Sequence, residues 1–278
     1  MSVPLRNPTL ATLFVAAAVI AHGGNAEAQR KPKPACGIKA LPFIAGYQWV
    51  YAPVAPPEEV SAQAAKVAAN KPKQFDKVTI KVASVEELEG RTEITLEEIS
   101  EVDVEGETKT FTRTTKLSCV ANALDVPPQS FFFVGEPGGT VKLEVEGLER
   151  NPEHHSYVFQ LGTLRVPEWL ENIKGKFARN SANDVELSLP GGSFDLQRIV
   201  KRGAPESITT LYGTYDATPV QVELVGSVTL AYEPPEEFSI PANTVNKLWI
   251  ADNVGVVQVF NSNGHMFQLN EATLGDKK

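Results

Sequence analysis

Apolar and polar residues begin to alternate near Phe75. Val78, Ile80 and Val82 share one side of an extended segment, and after the turn-forming Gly90 the same period of two resumes at Thr92, Ile94 and Leu96. A second turn around Gly106 leads into Phe111, Arg113, Thr115 and Leu117. Connections this short join antiparallel neighbours, because a parallel crossover needs a dozen residues or more, so the three segments predict a meander. Further strands are predicted over 130–134 (SFFFV), 140–148, 155–166, 184–189, 193–200, 207–216 and 219–232, ahead of a closing pair within 246–272.

Two helices are expected to interrupt the strands. Residues 56–70 open with Pro57, Glu58 and Glu59, which suit a helical first turn, and set Val60, Ala64, Val67 and Ala68 on one side. Residues 167–177 set Trp169, Leu170, Ile173 and Phe177 along a richer stripe, again behind a proline. The expected architecture is mainly β: a curved antiparallel sheet or half-barrel with two short lid-like helices. It would occupy 29–272 as one domain or as lobes 37–150 and 151–272, with 273–278 as a tail. PPEEVS (56–61) and PGGTVKL (137–143) recur as PPEEFS (234–239) and PGGSFDL (190–196), but at different offsets, so no single repeat period explains both.

The closing stretch, NKLWIADNVGVVQVFNSNGHMFQLNEA (246–272), is the best patterned. Asn263-Gly264 signals a hairpin, and with those two as the loop Phe260 and Phe267 would face each other. Val256, Phe260, Phe267 and Leu269 then line one side with Gln258, while Val257, Val259 and Met266 line the other, as in a pair covered on both faces or facing a cavity. NKLWIADNVGVVQVF resembles the closing segment of uncharacterised secreted bacterial β proteins, which in turn resemble the lipoprotein-carrier class of periplasmic half-barrels. The resemblance covers about 25 of 278 residues. It implies a curved sheet with helices as a lid over an apolar cavity; Trp249 and Gly255 are the positions it carries over, in structural roles.

Residues 1–28 read as a signal peptide: Arg6 precedes the apolar run 10–21, and Ala26-Glu27-Ala28 precedes Gln29, placing cleavage after Ala28. The run is too short for a mature membrane-spanning helix, and no later segment approaches the needed length. The expected location is therefore periplasmic or secreted. A lipid anchor on Cys36 is the rival reading, although KPAC is polar where a lipoprotein cleavage site resembles Leu-Ala-Gly-Cys. Removal of Arg6 and Glu27 leaves 25 basic and 33 acidic residues and a net charge of −8, which repels nucleic acid. Cys36 and Cys119 are the two cysteines, and an oxidising compartment favours joining them over leaving a free nucleophilic thiol.

Candidate chemistry is sparse. His154 and His155 are adjacent, so on a strand they point to opposite faces and do not share a metal ion. His265, after the Asn-Gly turn, is expected in solvent. Residues 86–108 hold ten acids against Arg91, but their order follows strand alternation rather than that of a calcium loop. A hydrated outer face is the expectation, partly neutralised by Lys109, Arg113 and Lys116. No Gly-x-Ser-x-Gly, phosphate loop or dinucleotide fingerprint occurs. No catalytic residue, metal site or cofactor is expected, and the protein is read as non-enzymatic. The first reading is an exported protein holding a hydrophobic ligand or a lipid-bearing partner, with Trp169, Leu170, Phe177, Trp249, Phe260 and Phe267 as candidate lining residues. Another is an envelope structural or protein-interaction module, docking through the acidic meander or a free strand edge. A hydrolase of unrecognised family is the third.

Overall fold

The computed structural model describes residues 36, 40–57, 74–120, 123–127, 130–134, 141–152, 168–181, 191–231 and 237–274. Thirteen strands run in chain order: β1 (Tyr47–Val54), β2 (Lys77–Leu88), β3 (Arg91–Val104), β4 (Glu107–Val120), β5 (Ala123–Asp125), β6 (Val141–Pro152), β7 (Glu168–Ser181), β8 (Gly192–Arg202), β9 (Glu206–Thr209), β10 (Thr214–Ala231), β11 (Glu237–Ala251), β12 (Gly255–Phe260) and β13 (Met266–Leu274). One helical turn, α1 (Phe131–Val134), lies between β5 and β6. The strands form a single antiparallel sheet in the order β5-β4-β3-β2-β1-β13-β12-β11-β10-β8-β7-β6, with β9 pairing a second segment of β10. Among the described residues β5 and β6 stand at the two ends of the sheet and do not pair with each other.

The β2-β3-β4 meander follows the alternation read from the sequence. Gly90 and Gly106 take the turns at φ +76° and +87°, which glycine adopts without strain. Ile94 pairs with Leu117 and Leu96 with Thr115, so the apolar positions of both strands fall on one face. That face is the core. It continues through Val78, Ile80, Trp49, Tyr51, Phe267 and Leu248, and Phe43 and α1 pack onto it. β1, unanticipated as a strand, carries Tyr47, Trp49 and Tyr51 at alternate positions and joins β2 to β13.

Four expectations are corrected. Residues 167–177 do not form a helix: Glu168–Ser181 is a strand. A period-two set, Glu171, Ile173, Gly175 and Phe177, competes with the helical stripe there, and Gly175 disfavours a helix interior. Gly175 pairs with Phe194, and a β-carbon on it would lie 2.7 Å from Phe194 Cζ, so the cross-strand ring uses the space that the missing side chain leaves. SFFFV (130–134) is not a strand, because Phe131–Val134 turns helically around the carboxylate of Glu98. Residues 207–216 break into β9, a turn and the start of β10, with Thr210 Oγ1 donating to Gly213 O at 3.1 Å. Phe260 faces Met266 instead of Phe267, whose partner is Val259. The turn there closes on Asn261: Gly264 N–H donates to its carbonyl at 2.9 Å and Gly264 takes φ +77°, the pattern of a three-residue loop with a glycine bulge.

The helix expected at 56–70 and the strands at 155–166 and 184–189 fall outside the described residues, apart from Pro56 and Pro57, which are in neither helix nor strand. Among the described residues no helix is long and apolar enough to cross a membrane.

Cys36 and Cys119 are joined, with their Cα atoms 5.7 Å apart. Cys119 lies on the inner face opposite Leu124, so the bond ties the start of the described chain to the end of the sheet at β4 and β5. Replacing both cysteines with serine should lower unfolding free energy by about 2 to 4 kcal/mol, measured as a shift in the denaturant midpoint. An unchanged midpoint would show that the bond contributes nothing.

Candidate functional site

The inner face holds polar groups as well as aromatic ones, and they converge on one segment. Glu98, 0% exposed, accepts from Arg113 Nε at 2.7 Å and from Arg113 Nη2. It also accepts from Thr115 Oγ1 at 3.0 Å, Ser130 Oγ at 3.3 Å and the Phe131 backbone N–H at 3.1 Å. A carboxylate with this many donors is satisfied without water. Glu171 and Arg198 form a second buried ion pair on β7 and β8, and Arg198 Nη1 also donates to Val126 O at 3.4 Å. Val126 and Phe131 are thereby held from the two arms of the sheet. Phe131 and Phe132 meet Tyr51, Trp49 and Phe267, with ring centroids 5.0 to 6.3 Å apart. The hollow of the sheet is filled there by the chain itself.

The closing hairpin is covered on both faces for a specific reason. β12 and β13 pair only from Gln258 to Phe260 and then diverge. Trp49 and Tyr51 enter the gap from β1, donating to Val254 O at 2.6 Å and Val256 O at 2.9 Å. Gly255, at φ +106°, lets the indole approach, since a β-carbon there would lie 2.7 Å from Trp49 Nε1. From the other side the β9–β10 turn reaches over: Tyr212 N–H donates to Leu269 O at 3.1 Å, and Tyr212 Oη to Ala272 O at 3.2 Å. His265, expected in solvent, is instead buried against Phe267, and its backbone N–H donates to Asn261 Oδ1 at 2.9 Å.

The six candidate lining residues do not form one site. Phe267 and Trp249 both belong to the buried cluster, but Trp249 alternates with Leu248 along β11 and so lies on the other face of that strand. There its indole donates to Glu206 Oε1 at 2.5 Å, and Lys247 Nζ sits 4.4 Å from the ring centre. Phe177 is on the far arm, stacked with Phe194 at 6.4 Å. Phe260 and Leu170 are half-buried on β12 and β7. Trp169 lies on β7 at the register of Val200. Near Phe177, an open groove of about 540 Å³ is lined by Glu146, Glu149, Lys174, Lys176, Ser193 and Phe194. Its charges offset one another, and Lys174 also pairs with Asp195 at 2.8 Å, so it offers little to an apolar ligand.

The acidic meander divides by face. Glu93 pairs with Lys116 at 2.7 Å and Glu101 with Lys77 at 2.8 Å on the outside, as expected of a hydrated surface. Glu98 departs from that expectation by turning inward. Among the described residues no cluster of three histidine, cysteine or acidic side chains could hold a metal ion. His154 and His155 lie outside the described residues.

One exposed feature stands apart. β4 is 14 residues long, yet β5 covers only Ser118, Cys119 and Val120. Among the described residues, Glu107–Leu117 therefore has β3 on one side and no strand on the other. Thr108, Thr110, Thr112 and Thr114 stand exposed on its outer face, while Phe111 and Leu117 face inward. The short extent of β5 could not be read from the sequence, because where it stops pairing with β4 is a tertiary fact.

No protein-family model matches the chain, and no curated protein matches it. Two crystal structures show similarity. One is of a "putative lipoprotein" from Parabacteroides distasonis, 17% identical with a TM-score of 0.48, covering 85% of this chain and 99% of that one. The other is of a "putative exported protein with YmcC-like fold" from Bacteroides fragilis, 13% identical with a TM-score of 0.43, covering 83% and 96%. Likenesses this distant carry no functional argument, which rests on the chain's own residues.

Two outcomes follow from the inner face. Glu98→Ala leaves the Arg113 guanidinium and the Phe131 N–H without their acceptor and should cost about 3 kcal/mol in equilibrium unfolding; a loss below about 0.5 kcal/mol would mean that water replaces the carboxylate. Burial, and then the nearby Tyr47, push the Tyr51 hydroxyl well above its ordinary 10.0. The folded state thus favours neutral Tyr51, so its contribution is complete below pH 10.0 and is lost as pH rises beyond it. Tyr51→Phe should flatten that alkaline fall in thermal midpoint, and an unchanged slope would assign the fall to other groups.

Proposed function

We propose that the protein is an exported, non-enzymatic interaction module that holds a protein partner on its β2-β3-β4 meander. The observation that carries this reading is the outer face of β4, where Thr108, Thr112 and Thr114 stand exposed in a row beside the ion-paired acids of β3. Such a row presents hydroxyl donors and acceptors at the period of two that an extended segment of a partner matches. Export is supported by the leader-like residues 1–28 and by the Cys36–Cys119 bond, which suits an oxidising compartment. The reading of a hydrophobic ligand in the hollow has less support, since Trp49, Tyr51, Phe131, Phe132 and Phe267 pack there against one another. The absence of a chemical step belongs to the proposal too, and is supported by engagement of the buried charges Glu98, Glu171 and Arg198 in structural bonds.

A photo-crosslinking residue placed in turn at Thr112, Thr114 and Asp252 tests that face in cells that export the protein. The same protein adduct should form at both threonines and not at Asp252, which lies exposed in the β11–β12 turn. Equal yields at all three positions, or none at the threonines, would overturn the reading.

A further inference from the structure

The geometry points to the groove on β6, β7 and β8 as a site for a small zwitterion, one that carries an ammonium and an oxyanion such as phosphate or carboxylate. The groove lies at the far end of the strand order from β4, so it stands independently of the partner reading. Its shape comes from a break in the ladder. Glu146 pairs with Lys176 and Glu149 with Lys174, so two residues of β6, Gly147 and Leu148, bulge opposite Gly175. Gly147 and Gly175 have no side chains to fill the opening. At Gly175 the tip of the Phe194 ring takes that place, since a β-carbon there would lie 2.7 Å from Cζ. Phe177 stacks with the ring at 6.4 Å and holds it. The result is an opening of about 540 Å³, within the range of small-molecule sites, with a fixed aromatic ring in its wall.

The charges around that ring are sorted by strand. β6 contributes two carboxylates, Glu146 and Glu149, and β7 contributes two ammonium groups, Lys174 and Lys176. Lys174 is committed to Asp195 at 2.8 Å. Among the described residues, Glu146, Glu149 and Lys176 are exposed and hold no side-chain hydrogen bond or ion pair, so all three can turn to a ligand. A ligand's cation meets Glu146, Glu149 and the Phe194 ring, whose π-system attracts positive charge. Its oxyanion meets the donors Lys176 Nζ and the Ser193 hydroxyl. A ligand with positive charge alone is repelled by the lysines, and one with negative charge alone by the carboxylates. An uncharged apolar ligand would strip water from both without replacing it. Opposite charges on one small molecule satisfy both walls at once.

Titration calorimetry on the oxidised full chain tests the site with phosphocholine and glycine betaine as zwitterions, and with choline and inorganic phosphate as single-charge probes. At least one zwitterion should bind, with choline and phosphate each about tenfold weaker. K176Q should weaken the zwitterion about threefold without weakening choline, and E149Q should weaken zwitterion and choline about threefold without weakening phosphate. Both changes fall on exposed side chains, so the fold is kept. F194L should weaken zwitterion and choline together, about threefold, through the lost ring. Binding of neither zwitterion, a single-charge probe as tight as the zwitterion, or K176Q and E149Q acting alike on every probe would overturn the inference. Phosphatidylcholine vesicles separate the sources of the same chemistry. Cosedimentation that K176Q weakens assigns a lipid headgroup, whereas binding of free zwitterion without cosedimentation assigns a soluble ligand. Cross-linking at Thr112 should proceed with the groove filled or empty, so failure of one reading leaves the other standing.

Discussion

Tyr51 reaches from the first strand to the Val256 carbonyl, and two residues earlier Trp49 reaches to that of Val254. These contacts sit at the seam on which the sheet depends. β2 to β5 form one meander and β6 to β12 form another, and the strand order shows that β1 and β13 are what connect them. The first and last described strands thus meet in the middle of the sheet. Where β12 and β13 separate, backbone carbonyls would lose their ladder partners inside the protein, an unfavourable arrangement unless something replaces them. The two aromatic donors of β1 do so, and Gly255 provides the room. Pairing of β1 with β13 and packing of its side chains are therefore parts of one arrangement.

The buried charges follow a different logic. Glu98, Glu171 and Arg198 lie on a face that is otherwise largely apolar, where an ion pair generally adds little net stability over hydrophobic residues of similar volume. Their hydrogen bonds, however, have direction. Glu98 meets the N-terminal end of α1 and Arg198 meets Val126 O, from strands far apart in the sheet order. Apolar packing alone would let the two phenylalanines of the intervening segment settle in several ways. The polar contacts specify where the backbone must lie for the rings to meet Trp49 and Tyr51.

Local information was readable and tertiary information was not. The β2-β3-β4 meander was legible because its period and its two glycine turns lie within a short window. Tyr47, Trp49 and Tyr51 showed the same alternation, but nothing nearby indicated that a strand this early would lie beside the last one. Residues 167–177 contained both a helical stripe and a period-two set, and the choice between them rested on Phe194 filling the space over Gly175 and on Arg198 meeting Glu171. The hairpin register slipped by one because Asn261 takes part in its turn, a role not separable by sequence from that of Asn263-Gly264. For the candidate site, the residues chosen by apolar character alone dispersed over two faces and both arms. That β5 pairs only the last three residues of β4 was likewise not readable from local pattern.

The outer face of β4 differs from that of its neighbours in how it treats association. Strands β2 and β3 present Glu93, Glu97 and Glu101 outward with lysines interspersed, a surface that favours hydration and discourages adhesion. β4 presents threonine at four alternate outer positions, with no proline across the run and no bulge in its pairing with β3. Natural edges are usually blunted by brevity, bulges, proline or inward-pointing charge. The inward side of β4 carries Lys109 and Arg113, and Arg113 is neutralised by Glu98 from the adjacent strand. The same carboxylate that positions α1 therefore also settles the arginine beside Phe111, so one buried charge serves both the helical turn and the last long strand of the meander.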